Sequence, residues 1–132
     1  MKEPRVEALR WLRQAENDLQ YARLGLREGF SAQVCFLCQQ IAEKALKSVH
    51  YGKLGKRIVY GHSLVELAQE LSVGFDLHRE LALLDQYYIP TRYPNGLPGG
   101  APYEVYSLAQ AEAAVAVCDR VISFAHASLP EE

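Results

Sequence analysis

VCFLCQQIAEKALKSV, residues Val34 to Val49, decides the fold. Its apolar positions are Val34, Leu37, Cys38, Ile41, Ala42, Ala45, Leu46 and Val49, the i, i+3, i+4 spacing of an α-helix. That stripe is wider than a simple coiled-coil seam. Ser31 is placed to cap the start of this helix, and Gly52 and Gly55 follow its end. Upstream, Pro4 suits the first turn of another helix, where its missing N–H costs nothing. Leu12, Ala15, Leu19, Ala22 and Leu26 make one buried stripe there, with arginines elsewhere on the wheel and Gly29 as the terminator. Downstream, Ser63-Leu-Val-Glu66 has the capping-box pattern, in which each side chain satisfies the other's backbone N–H. This third helix ends near Leu71. Asp76 caps a fourth running to about Tyr88, with Leu77, Leu81 and Leu84 on one side. Ser107-Leu-Ala-Gln110 caps the last, whose stripe is Leu108, Ala111, Val115, Cys118, Ile122 and Ala125. Ile58-Val59-Tyr60 is the nearest thing to a strand, and it is too short for a sheet. The pattern predicts an all-α fold: an antiparallel, up-and-down bundle of four to five helices, with a long Pro/Tyr-rich loop from Pro90 to Pro102 before the last helix.

A chain of 132 residues fits one domain, residues 1–132, and can bury a core without staples. With 49% hydrophobic and 23% charged residues it is neither disordered nor collagen-like. No apolar run approaches the ~20 residues that span a bilayer, and the N-terminus is charged from Lys2 onward with no secretory apolar segment. No membrane association is expected. Cys35, Cys38 and Cys118 are an odd, small set that points to a reducing cytoplasm.

The net charge of −2 does not mark a strongly basic nucleic-acid binder, but the local distribution is uneven. Lys44, Lys47, Lys53, Lys56 and Arg57 fall in a stretch to Val65 that contains no acid. Such a run either leads an anion toward a cleft or complements a helix C-terminus. Between Gln86 and Tyr103 the only charge is Arg92, set among tyrosines and prolines. Arg92 can fork to a phosphate, Tyr88 and Tyr93 can stack on a base, and Asn95 can offer its amide. The alternative is a rigid proline loop that packs its tyrosines on the bundle, with Arg92 paired to Asp85 or to a partner's carboxylate. Gln40, Glu43 and Lys47 share one helical face, either a solvated edge or the floor of a cleft; Glu43 and Lys44 read equally as solvent-facing charges. Cys35 and Cys38 form C-x-x-C inside a helix, which reads as core. Neither the histidines nor any glycine-rich loop has the spacing of a metal or phosphate cradle, so no metal and no cofactor are expected.

Four segments carry a family resemblance. They are AlaGluAsnAspLeu (Ala15 to Leu19), Gln39-Gln40-Ile-Ala-Glu43-Lys44-Ala-Leu-Lys47, His62-Ser-Leu-Val-Glu-Leu67, and Tyr88-Ile-Pro-Thr-Arg92-Tyr93-Pro94. In order and spacing they resemble the HEPN domains, in the small stand-alone prokaryotic branch. The resemblance implies a helical bundle that pairs as a homodimer and binds nucleotide or RNA. It also implies a toxin-like role beside a minimal nucleotidyltransferase partner. The ribonuclease members carry an Arg followed four to six residues later by a His, contributed to one cleft by two protomers. Arg57 and His62 fit that spacing as a catalytic pair, although a His just ahead of a capping Ser also serves to orient a helix start. Onward from Arg92 no His falls at that spacing, so His62 or His50 would have to supply proton transfer in space. The expected nucleotide- or phosphate-binding set is Arg92, Tyr93, Tyr88, Asn95, Gln40, Glu43, Lys44 and Lys47. Two further readings stay open: an active metal-independent ribonuclease, and a non-catalytic dimeric interaction module.

Overall fold

A computed structural model of the chain, describing residues 3–129, places α2 (Ser31–Gly52) at the centre. Sixteen of its 22 residues are buried, so it is wrapped on nearly every side. α1 (Pro4–Arg27) and α6 (Leu108–Ser128) pack along it, and α3 (Leu64–Gln69) and α4 (Phe75–Asp85) close a further side. A 3₁₀ turn (Pro94–Gly96) and the four-residue α5 (Pro102–Val105) complete the order, and no strand occurs among the described residues. The expected stripes form the core: Leu12, Ala15 and Leu19 of α1 meet Ile41, Leu46 and Val49 of α2 and Val115, Cys118 and Ile122 of α6. No helix among the described residues is long and apolar enough to cross a membrane.

The α1–α2 turn shows how local chemistry sets the hairpin. Gly29 takes φ +85°, Phe30 N–H donates to Gly25 O at 3.0 Å, and Gly29 N–H donates to Leu26 O at 3.3 Å. This is a Schellman ending, and glycine carries the left-handed residue without a Cβ clash. It displaces the expected cap: Phe30, not Ser31, precedes α2, and Ser31 is buried in the first turn. Gly52 is likewise the last residue of α2 rather than its stop. The fourth helix starts after Gly74, with Asp76 in its first turn, and ends at Asp85 rather than Tyr88. Both capping motifs are used, in different ways. Ser107 and Gln110 exchange both bonds at α6 (3.1 and 2.8 Å). At α3, Ser63 Oγ accepts from Glu66 N–H at 3.2 Å, while Asp85, arriving from α4, accepts from Leu64 N–H (2.9 Å) and Val65 N–H (3.1 Å).

The Pro/Tyr-rich segment is not structureless. Thr91 is buried and its hydroxyl donates to Tyr87 O. The chain then doubles back so closely that a Cβ on Gly96 would lie 3.0 Å from Pro90 Cα. The three cysteines are buried thiols; Cys118 Sγ donates to Cys38 O at 3.2 Å, and burial, with Cys38 nearby, pushes the Cys35 thiol up to about 12.

Candidate functional site

Phe36, Gln40, Glu43 and Lys47 fall at i, i+4, i+7 and i+11 of α2 and so form one line along the helix. Three other segments come up to that line: the irregular 60–63 connection, the segment that follows α4, and the Arg92 loop.

Glu43 is the pivot. Its carboxylate is buried, so of the readings left open the solvent-facing charge does not hold. Oε2 accepts from Lys47 Nζ at 3.1 Å and Oε1 accepts from His62 Nδ1 at 2.9 Å. Lys47 is buried too, with its ammonium 5.7 Å from the centre of the Trp11 ring. A buried charge is tolerated only when paired, and this pair, one turn apart on a helix, is. Because Glu43 can only accept, His62 carries its proton on Nδ1 when neutral, which leaves the Nε2 lone pair available. His62 is mostly exposed, and Nε2 has no hydrogen-bond partner among the described residues.

The backbone of His62 is pinned from below. Gln39, buried in α2, donates to His62 O at 2.8 Å and reaches Asp85 Oδ1 at 3.4 Å; Gln40 in turn donates to Gln39 Oε1 at 2.9 Å. Asp85 therefore serves the α3 N-terminus and the Gln39 amide, and is not the partner of Arg92.

Tyr88 joins the two halves. Its ring stacks on His62 at 5.2 Å, with planes 21° apart, and is 4.8 Å from the Arg92 guanidinium carbon. Arg92 also lies over Phe36 (4.4 Å) and Tyr93 (5.2 Å), while Nε–H donates to Tyr88 O at 2.9 Å. Three rings and one backbone bond thus fix the plane of an exposed guanidinium whose terminal nitrogens have no hydrogen-bond partner among the described residues. Arg92 meets α2 at Phe36, an apolar residue, and reaches Glu43 only through Tyr88 and His62. The arrangement is an open shelf rather than a crevice facing the polar ridge.

Other expected residues lie elsewhere. Lys44 points to α1, where it pairs with Asp18. Lys56 is paired with Glu70. Arg57 is exposed, with no bond to His62 and no partner among the described residues. Asn95 sits exposed in the 3₁₀ turn. His50 is buried, its Nε2–H donating to Leu67 O at 2.8 Å, far from any role on the shelf. Among the described residues no group of three or more His, Cys, Asp or Glu side chains is gathered as metal ligands would be.

The family model of the HEPN domain matches residues 8–128, nearly all of the chain. The chain belongs to the HEPN family. Three solved structures share the bundle of this HEPN chain. The TT1696 protein of Thermus thermophilus superimposes with a TM-score of 0.87 at 36% identity, covering 93% of this chain and 98% of that one. ST0689, an archaeal HEPN homologue, gives 0.80 at 32% identity over 96% and 98%. An HEPN domain protein of Thermotoga maritima gives 0.71 at 30% identity over 89% and 95%. Human sacsin is 34% identical over 99 residues, 70% of this chain; this HEPN chain spans about 2% of sacsin's length.

Proposed function

We propose that this HEPN protein binds a nucleotide or an RNA phosphate on the shelf formed by Arg92, Tyr88, Tyr93 and His62. The observation that carries this reading is the Arg92 guanidinium, held flat by three rings and one backbone carbonyl with its outer N–H groups unpaired among the described residues. A pre-set, planar, always-charged fork suits a phosphate, and its orienting cost has already been met in the fold. Tyr93, half exposed at 51%, offers a ring for a base. Titration with a panel of nucleoside monophosphates and short RNAs tests it. Arg92→Ala should weaken binding at least tenfold while leaving the thermal midpoint nearly unchanged; equal affinities in the two proteins refute the assignment.

The Glu43–His62 pair supports a second reading, a metal-independent ribonuclease. A carboxylate on Nδ1 fixes the ring and leaves Nε2 as a base beside an anion-binding Arg, the combination that transfer of a 2′-hydroxyl proton needs. Cleavage of RNA in EDTA, lost in His62→Ala, is the expected result of that reading; no cleavage at micromolar protein removes it. Membership of the HEPN family supports the wider context we propose: a cytoplasmic homodimer acting as the toxin-like half of a pair with a minimal nucleotidyltransferase. Co-expression with the neighbouring gene product and co-purification test this context.

A further inference from the structure

α1 and α2 enclose a second open hollow of about 580 Å³, lined by Glu7, Arg10, Trp11, Arg13, Gln14 and Lys44. Two side chains, Lys47 and Glu43, separate it from the shelf. Lys47 Nζ is 5.7 Å from the Trp11 ring centre and 3.1 Å from Glu43 Oε2, and Glu43 holds His62 with its other oxygen. The two surfaces are therefore neighbours, joined through Lys47 and Glu43.

The hollow is cationic. Three bases line it against one carboxylate, and they come from two helices. Arg10 pairs with Glu7 at 3.1 Å and Lys44 pairs with Asp18. Arg13 has no partner among the described residues. Two other exposed arginines of the bundle, Arg23 and Arg120, are matched by an acid from another helix, Asp119 and Glu80. Arg13 has no such match, and it lines a concavity. The indole N–H of Trp11 is spent on Glu7 at 3.2 Å, and the ring, stacked on Tyr51 at 5.5 Å, gives the hollow part of its apolar lining. The surplus positive charge of Arg13 beside two paired bases fits the phosphates of a sugar–phosphate chain.

We propose that this hollow receives the continuing phosphates of a single-stranded nucleic acid whose first nucleotide lies on Arg92 and His62. The proposal rests on the shelf reading above and narrows it: the ligand is an oligonucleotide, and a mononucleotide fills only half of the surface. Lys47 and Glu43, buried between the two, form the neutralised saddle over which the strand passes.

The test is fluorescence anisotropy of the full chain with labelled uridine dinucleotide and octanucleotide, in wild type, Arg13→Ala and Arg92→Ala, at several salt concentrations. The octanucleotide should bind at least tenfold more tightly than the dinucleotide. Arg13→Ala should remove most of that advantage and leave dinucleotide affinity unchanged. It should also flatten the dependence of log affinity on log salt by about 0.7 for the lost phosphate contact. Arg13 is an exposed residue of α1, so its removal leaves the core intact. Equal affinity for both lengths, with Arg92→Ala weakening both, overturns the second subsite and leaves the shelf standing. Binding of neither length overturns the shelf and the extension together. An Arg13→Ala effect of the same size on both lengths, or competition by an oligoglutamate as strong as by unlabelled octanucleotide, also overturns it.

Discussion

Removing the Glu43 carboxylate should cost more than any other single change on the shelf. Glu43 and Lys47 are each only 6% exposed and bonded at 3.1 Å, so Glu43→Ala leaves a buried ammonium without its counter-charge. Breaking a buried pair from one side costs about 3–5 kcal/mol. The bond from His62 contributes less because that ring is 60% exposed on its side chain. For a domain of this size the loss corresponds to a fall in Tm of about 11–18 °C. The assay is urea and thermal unfolding followed by far-ultraviolet circular dichroism, on Glu43→Ala, Lys47→Met and Glu43→Leu/Lys47→Met. Each single variant should show the large loss, and the double should recover most of it, because an apolar pair of similar volume leaves no orphan charge. Strictly additive losses, or a Glu43→Ala loss below about 1 kcal/mol, would rule out the paired, desolvated geometry.

Three further outcomes follow from the same structure. The Lys56 ammonium bonded to Glu70 holds that carboxyl below its ordinary value, with His50 adding to the effect. A depressed carboxyl stabilises the fold above its unfolded value and loses that contribution as pH falls through the lower folded value, so Glu70→Gln should flatten the acid limb of a stability–pH profile below about pH 5. All three cysteines are buried and the Cys35 thiol is pushed up to about 12, so a thiol-specific chromogenic reagent at pH 8 should find no reactive group in the native protein and three after denaturation. Gly52→Ala should destabilise by about 1–3 kcal/mol in a urea titration, since the new methyl would lie 2.4 Å from Leu129 Cδ2 and 2.8 Å from Ala8 Cβ.

The bundle was legible because its helices announce themselves by period. The stripe from Val34 to Val49 is buried almost as written, and Ser107 and Gln110 close the box their spacing suggests. Caps that depend on another segment were not legible. Nothing in the order of residues says that Asp85 reaches back to the amides of Leu64 and Val65, or that a Schellman turn makes Phe30 the residue before α2.

The site divides the same way. Arg92, Tyr88 and Tyr93 stood out as a lone cation among rings, and they are together. Glu43 and His62 lie 19 residues apart and carried separate readings; only the packing of the 60–63 connection on α2 joins them. Phe36 was not singled out, and Gln39 entered only as the first residue of the Gln39–Lys47 segment. The spacing of Phe36 from Glu43, two turns back on one line, was a signal for the first. Gln39 offered none beyond being a fully buried amide, which must find partners and finds them in His62 O and Asp85. Lys44 shows the converse: it is adjacent to Glu43 in sequence but about 100° around the helix, which carries it to Asp18 on α1.

A nuclear magnetic resonance titration with a uridine dinucleotide, following the Arg92 Nε–Hε and His62 ring signals, probes the shelf itself. Both should shift and saturate together with a single Kd, because one phosphate would touch the guanidinium while its neighbouring group lies against the His62 edge. If those signals stay still while resonances elsewhere respond, the ligand sits somewhere other than this ring-held cation, and the shelf is not the binding site.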